Sequence, residues 1–135
     1  MVEITGTYAG DLRVEARHGP SGAELATDAP VDHEGLGRSF SPTDLVATAL
    51  GTCIVTVIGI VGRRRGVDVA GVRFSVTKEM VADPKRRIGR LATTVHLPAE
   101  IGAEDRAVLE RAAHTCPVHQ SLGEAVDAPI TFVYE

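Results

Sequence analysis

At 135 residues the chain is long enough to form one domain around its own hydrophobic core. Apolar residues make up 44% and charged residues 24%, as in an ordinary globular protein, while aromatics at 4% and the absence of Trp argue against a base-stacking surface for single-stranded nucleic acid. The net charge of −4 disfavours nucleic acid or an anionic membrane as a partner, so Arg63-Arg64-Arg65 and Lys85-Arg86-Arg87 read as a solvated helix end and a solvated turn.

The opening MVEITGTYAGDL has neither a basic start nor an apolar run of signal-peptide type, and a cytoplasmic location is expected. In a reducing compartment two cysteines, Cys53 and Cys116, do not form a purely structural disulfide. They read as buried thiols, metal ligands or a redox pair. With no repeat, low-complexity segment or linker, residues 1–135 are read as a single domain.

Residues 2–9 and 12–18 alternate as strands, with a hairpin signal at Gly10-Asp11. After the turn Gly19-Pro20-Ser21-Gly22 a third strand is expected over 23–29, followed by a loop over 30–40. A long helix then begins. Ser41 suits its N-cap, Pro42 its first position, and Asp44, three after the cap, closes a capping box.

From Leu45 to Gly62 the helix carries no charge over 18 residues, about 27 Å, which falls just short of a bilayer core of roughly 30 Å. Thr48, Thr52 and Thr56, together with Gly51, Gly59 and Gly62, make it a poor membrane span. Its apolar character goes right round, so a helix buried on all sides is expected, enclosed by sheet or by a second copy of the chain.

Beyond it, residues 69–81 read as a strand with Val72, Phe74 and Val76 on one face, 82–87 as a turn, and 88–98 as the antiparallel return strand. Residues 102–116 have helical spacing with acidic residues in the first turn. Pro117 breaks that helix, a short helix is expected over 118–125, and 130–135 closes as a strand. Strands, helix, strands, helices and strand make the class α+β.

Two segments carry chemistry. Cys53 lies mid-helix beside Ala49, Leu50, Thr56 and Val57. Cys116, in HTCPVH, sits at a helix break before proline, where it can cap the following turn. Cys53, Cys116, His114 and His119 are also the ligand types of a zinc site, although the closely spaced ligand pair of such sites is missing around Cys53.

SPTDLVATALGTC (41–53) and HTCPVHQSL (114–122) resemble the two signature segments of the OsmC/Ohr superfamily, osmotically induced protein C and organic hydroperoxide resistance proteins. GPSGAELATDAP (19–30) and the closing strand add to the likeness, which covers nearly the whole chain. The resemblance implies antiparallel sheets around a long central helix in an intertwined homodimer with its sites at the subunit interface. It also implies a thiol peroxidase acting on organic hydroperoxides and hydrogen peroxide in oxidative-stress defence. In that reading Cys53 is the peroxidatic cysteine, which becomes a sulfenic acid, and Cys116 resolves it to a disulfide. No cofactor is implied, only an external dithiol reductant.

A thiol in apolar surroundings ionises reluctantly, so Cys53 needs a cation. The family supplies an arginine from an N-terminal strand. Arg13 is the best match here, with Arg17 second and Arg38 in the loop third. The best-characterised members pair that arginine with a Glu ten positions before the cysteine, where this chain has Thr43. Asp44, nine before, falls about 180° round the helix from Cys53 and is expected to cap. His119 is a further supporting candidate. A small-molecule-binding protein without catalysis and a Cys/His metal protein are the alternatives.

Overall fold

The structure, a computed structural model, describes every residue from Met1 to Glu135. In chain order the elements are β1 (Ile4–Gly10), β2 (Arg13–His18), β3 (Glu24–Asp28), a single 3-10 turn (Val31–His33), α1 (Pro42–Arg65), β4 (Arg73–Val81), β5 (Arg87–Leu97), α2 (Ala103–Ala113), α3 (Pro117–Ser121) and β6 (Ile130–Tyr134). The α+β class follows. The chain divides into two compact units, Met1–Val46 and Ala47–Glu135, with α1 starting in the first and running into the second.

The N-terminal unit is an antiparallel sheet in the order β1-β2-β3. The β1–β2 turn falls at Asp11-Leu12, where both residues have positive φ (56° and 62°), so its handedness matches the twist of the strands it joins. The register gathers Ile4, Tyr8, Val14, Ala16 and Leu25 on one face and Thr5, Thr7, Arg13, Glu15 and Arg17 on the other. On the apolar face Ile4 is 60% exposed, Tyr8 62% and Leu25 48%.

The ends of α1 are set by local chemistry. The Ser41 Oγ accepts the Asp44 N–H at 3.1 Å while the Asp44 carboxylate accepts the Ser41 N–H at 2.9 Å, a reciprocal capping box. Inside the helix, Thr52 and Thr56 donate their hydroxyls to the carbonyls of Thr48 and Thr52, each at 2.8 Å, which satisfies them among apolar neighbours. Gly66, with φ +69°, ends it: the Gly66 N–H reaches the Arg63 carbonyl and the Val67 N–H the Gly62 carbonyl. Arg65 pairs with Asp105 of α2 at 2.7 Å.

The C-terminal unit pairs β4 antiparallel with β5 and β5 parallel with β6. Its fully buried side chains come from α1 (Leu50, Ile54, Ile58), alternate positions of β5 (Leu91, Thr93, Val95, Leu97) and α2 (Leu109, Ala113). Each Leu or Ile taken out of water in this way contributes about 2 kcal/mol. β4 begins at Arg73 rather than at 69 because Gly71 takes φ +85° in the turn before it.

Within one protomer α1 is covered on one side only. One stripe of α1 (Ala47, Leu50, Gly51, Ile54, Ile58, Gly62) is buried, whereas Ile60 is 45% exposed. The spacing of that stripe is the 3.6-residue period, so a single protomer covers one side of a helix whose composition is apolar on every side. By length and composition α1 would also pass as a membrane span.

Candidate active site: a pair of neighbouring thiols

The C-terminal unit brings together the two cysteines that the sequence separates. Cys53 lies near the middle of α1, half-buried between the buried Leu50 and Ile54 turns. Cys116 is fully buried at the junction of α2 and α3. Cys53 is its neighbour in the packed unit, and both thiols are free.

Chain geometry around Cys116 explains how it is held. α2 ends in tight turns in which the Thr115 and Cys116 N–H groups reach back to the carbonyls of Ala112 and Ala113. Pro117 cannot extend α2, but it suits the first position of α3, so Cys116 becomes the N-cap. Its Sγ accepts the His119 N–H at 3.3 Å. Burial pushes the Cys116 thiol above its usual pKa, and the hydrogen bond to Cys53 and the charge on Cys53 add to the rise. The N–H groups of His119 and Val118 oppose it.

Two histidines flank this turn. The His119 Nε2 lies 2.9 Å from the Ala128 carbonyl, which can only accept, so that nitrogen carries the proton. This bond ties α3 to the segment leading into β6. The His114 ring stands edge-on to His119 at 5.8 Å and to Phe132 at 6.2 Å. Cys53, Cys116, His114 and His119 do not converge as a metal-type cluster in this chain. The tie of His119 to Ala128 is not legible in the sequence, because it depends on the approach of β6.

In the N-terminal unit the three arginines have different surroundings. Arg38 is committed: its Nε donates to Asp28 at 2.7 Å, its backbone N–H donates to the same carboxylate at 2.9 Å, and its Nη2 reaches Asp11 at 3.2 Å. That partnership, chiefly the side-chain hydrogen bond, holds the buried Asp28 down at about 2 and raises Arg38. Arg17 is exposed and folds over the Gly22 turn. Arg13, on the polar face of β2, has a buried Nε with no hydrogen-bond partner. It borders a cavity of about 220 Å³ lined also by Asp11, Glu15 and Arg38. Asp44 is occupied by the capping box, and the Thr43 hydroxyl lies 3.2 Å from that of Ser41.

The chain is similar to known proteins along most of its length. The family model described as OsmC-like protein matches residues 34–131. No curated protein matches the chain. Among solved structures, a protein from Psychrobacter arcticus 273-4, provisionally named as an osmotic stress induced and detoxification response protein, is 40% identical with a TM-score of 0.91, over 98% of this chain and 96% of that one. The organic hydroperoxide resistance protein OsmC from Legionella pneumophila has the same fold at 16% identity (TM-score 0.80, 98% and 96% covered). So does the organic hydroperoxide resistance protein OhrB of Bacillus subtilis at 15% (TM-score 0.73, 98% and 97% covered). A family match over most of the sequence, with a close structural relative along nearly its full length, shows that this chain belongs to the OsmC-like family.

Proposed function

We propose that the protein is a cysteine-based peroxidase that reduces organic hydroperoxides, and hydrogen peroxide, in oxidative-stress defence in the cytoplasm. The observation that carries this reading is that Cys53 and Cys116, both free thiols from distant parts of the chain, are neighbours in the fold, as a peroxidatic and a resolving cysteine must be. Structural neighbours named for organic hydroperoxide resistance support the same assignment.

In this mechanism the Cys53 thiolate attacks the distal peroxide oxygen and becomes a sulfenic acid, and Cys116 displaces hydroxide from it to form a disulfide. The disulfide protects Cys53 from over-oxidation until an external dithiol reduces it by exchange. Arg13 is the cation assigned to Cys53, on the ground that its Nε is buried without a partner while Arg38 is neutralised by two aspartates. A thiolate recruits such a guanidinium by charge-assisted hydrogen bonding.

The working unit is assigned as a homodimer. Ile4, Tyr8 and Leu25 on the N-terminal sheet and Ile60 on α1 are apolar surface that one protomer leaves in water, and a second copy would cover it. Size-exclusion chromatography with light scattering should give twice the 14.2 kDa chain mass, and Tyr8→Glu with Leu25→Glu should shift it toward one.

The deciding experiment measures dithiol-dependent consumption of an alkyl hydroperoxide. The wild type should turn over and Cys53→Ser should not; Arg13→Ala should fall by about 100-fold, the scale of a lost electrostatic contact in a catalytic site. Equal, negligible turnover by the wild type and Cys53→Ser would refute the peroxidase assignment.

A further inference from the structure

We propose that Cys116 acts twice, first as the acid that protonates the departing alkoxide and only then as the thiolate that closes the disulfide. The inference rests on the peroxidase reading and assigns to Cys116 a chemical step earlier than resolution.

Three features of the site lead there. Cys116 is fully buried, so its proton is kept from exchange with bulk water. Cys53 is its neighbour, so a peroxide lying against the Cys53 sulfur comes close to that proton as well. The Cys116 sulfur is also capped by the His119 N–H at 3.3 Å, so a donor is already in place for the negative charge that appears when the proton leaves.

The steps balance. The Cys53 thiolate attacks the terminal oxygen of RO–OH: an S–O bond forms and the O–O bond breaks. Sulfur is oxidised by two electrons, and the O–O pair departs on RO⁻. Cys116 passes its proton to RO⁻, which leaves as ROH, and Cys116 becomes a thiolate. That thiolate attacks the Cys53 sulfur, an S–S bond forms, the S–OH bond breaks, and hydroxide departs to solvent. An alkoxide is far more basic than a thiolate, so the transfer runs downhill even from a thiol whose pKa burial has raised. The device also times the chemistry. Cys116 stays a thiol, and a weak nucleophile, until a sulfenic acid exists for it to attack.

The test separates the two roles by leaving group. An alkyl hydroperoxide expels an alkoxide, which needs a proton; a peroxy acid expels a carboxylate, which does not. Single-turnover oxidation of Cys53 is followed in the full-length wild type, Cys116→Ala and Cys116→Ser by trapping the sulfenic acid and quantifying it by mass spectrometry. With the alkyl hydroperoxide Cys116→Ala should slow this first step by about 100-fold, the lower end of general-acid contributions, while with the peroxy acid it should stay within about threefold of wild type on the same reasoning. Cys116→Ser, which retains a proton, should fall between and still favours folding where Ala fails. Any change in the thiolate population of Cys53 affects both oxidants alike and cancels in their ratio. An unchanged alkyl hydroperoxide rate in the variants, or equal losses with both oxidants, overturns the acid role while leaving the peroxidase reading intact. A wild type inert to both oxidants overturns both.

Discussion

Replacing Gly51 by alanine tests how closely α1 rides on β4, two residues from the Cys53 thiol. Gly51 is buried, and a Cβ placed there would drive into the Phe74 ring, coming within 3.0 Å of Cζ and closer still to the ring edge. Two effects oppose each other. Alanine is favoured over glycine in a helix interior by about 1 kcal/mol, whereas overfilling a packed contact costs about 1–3 kcal/mol. The Phe74 ring is 37% exposed and yields in part, but the overlap is with its flank rather than its tip. The clash wins by a net loss of about 1 kcal/mol on these figures. At about 2.1 cal/mol/K of unfolding entropy per residue, 135 residues convert that to a fall in Tm of about 3–4 °C.

The matched control is Gly59→Ala in the same helix, where an added Cβ meets nothing within 4 Å. It should raise Tm by about the same amount. Thermal melts followed by circular dichroism read both. In a Phe74→Ala background the sign for Gly51→Ala should reverse, because only the propensity gain remains. A Gly51→Ala protein that melts higher than wild type, or a loss that Phe74→Ala does not relieve, would refute the packing argument.

Three further outcomes are expected. Asp28 is held at about 2 by Arg38, below its unfolded value of roughly 3.9, so its contribution to stability is complete above that value and disappears as pH falls toward 2; Asp28→Asn should flatten this part of the acid-unfolding curve, and an identical curve would show that the pair is idle. Tyr134 is pushed up to about 12, by burial first and then by its hydrogen bond to Glu110 at 2.9 Å. Unfolded tyrosine ionises near 10, so the folded state loses stability as pH climbs from about 10 to 12, and an absorbance titration at the phenolate band should show one late-titrating tyrosine in wild type and none in Tyr134→Phe. His119→Ala removes the bond to the Ala128 carbonyl, at a cost of about 1 kcal/mol. Stopped-flow measurement should find slower disulfide closure, and an unchanged closure rate would remove His119 from the proposed site.

The amino-acid sequence by itself settled whatever depends on near neighbours. Ser41, Pro42 and Asp44 mark the start of α1 and Gly66 its end, because caps are made with groups three or four residues away. Alternation marks the β1–β2 and β4–β5 hairpins, whose partners are joined by short turns. Both cysteines stand out for their motifs. What only the tertiary structure decided is which distant groups meet. β6 pairs parallel with β5 across a crossover that contains α2 and α3, and strand periodicity names no partner. Arg38 is a loop arginine like many others until Asp28 and Asp11 converge on it from two separate segments. The meeting of Cys53 and Cys116 is of the same kind. Hydrophobic patterning specifies which face of an element is buried, but the matching of faces is a cooperative property of the packed chain, and it is there that two thiols far apart in the sequence become neighbours.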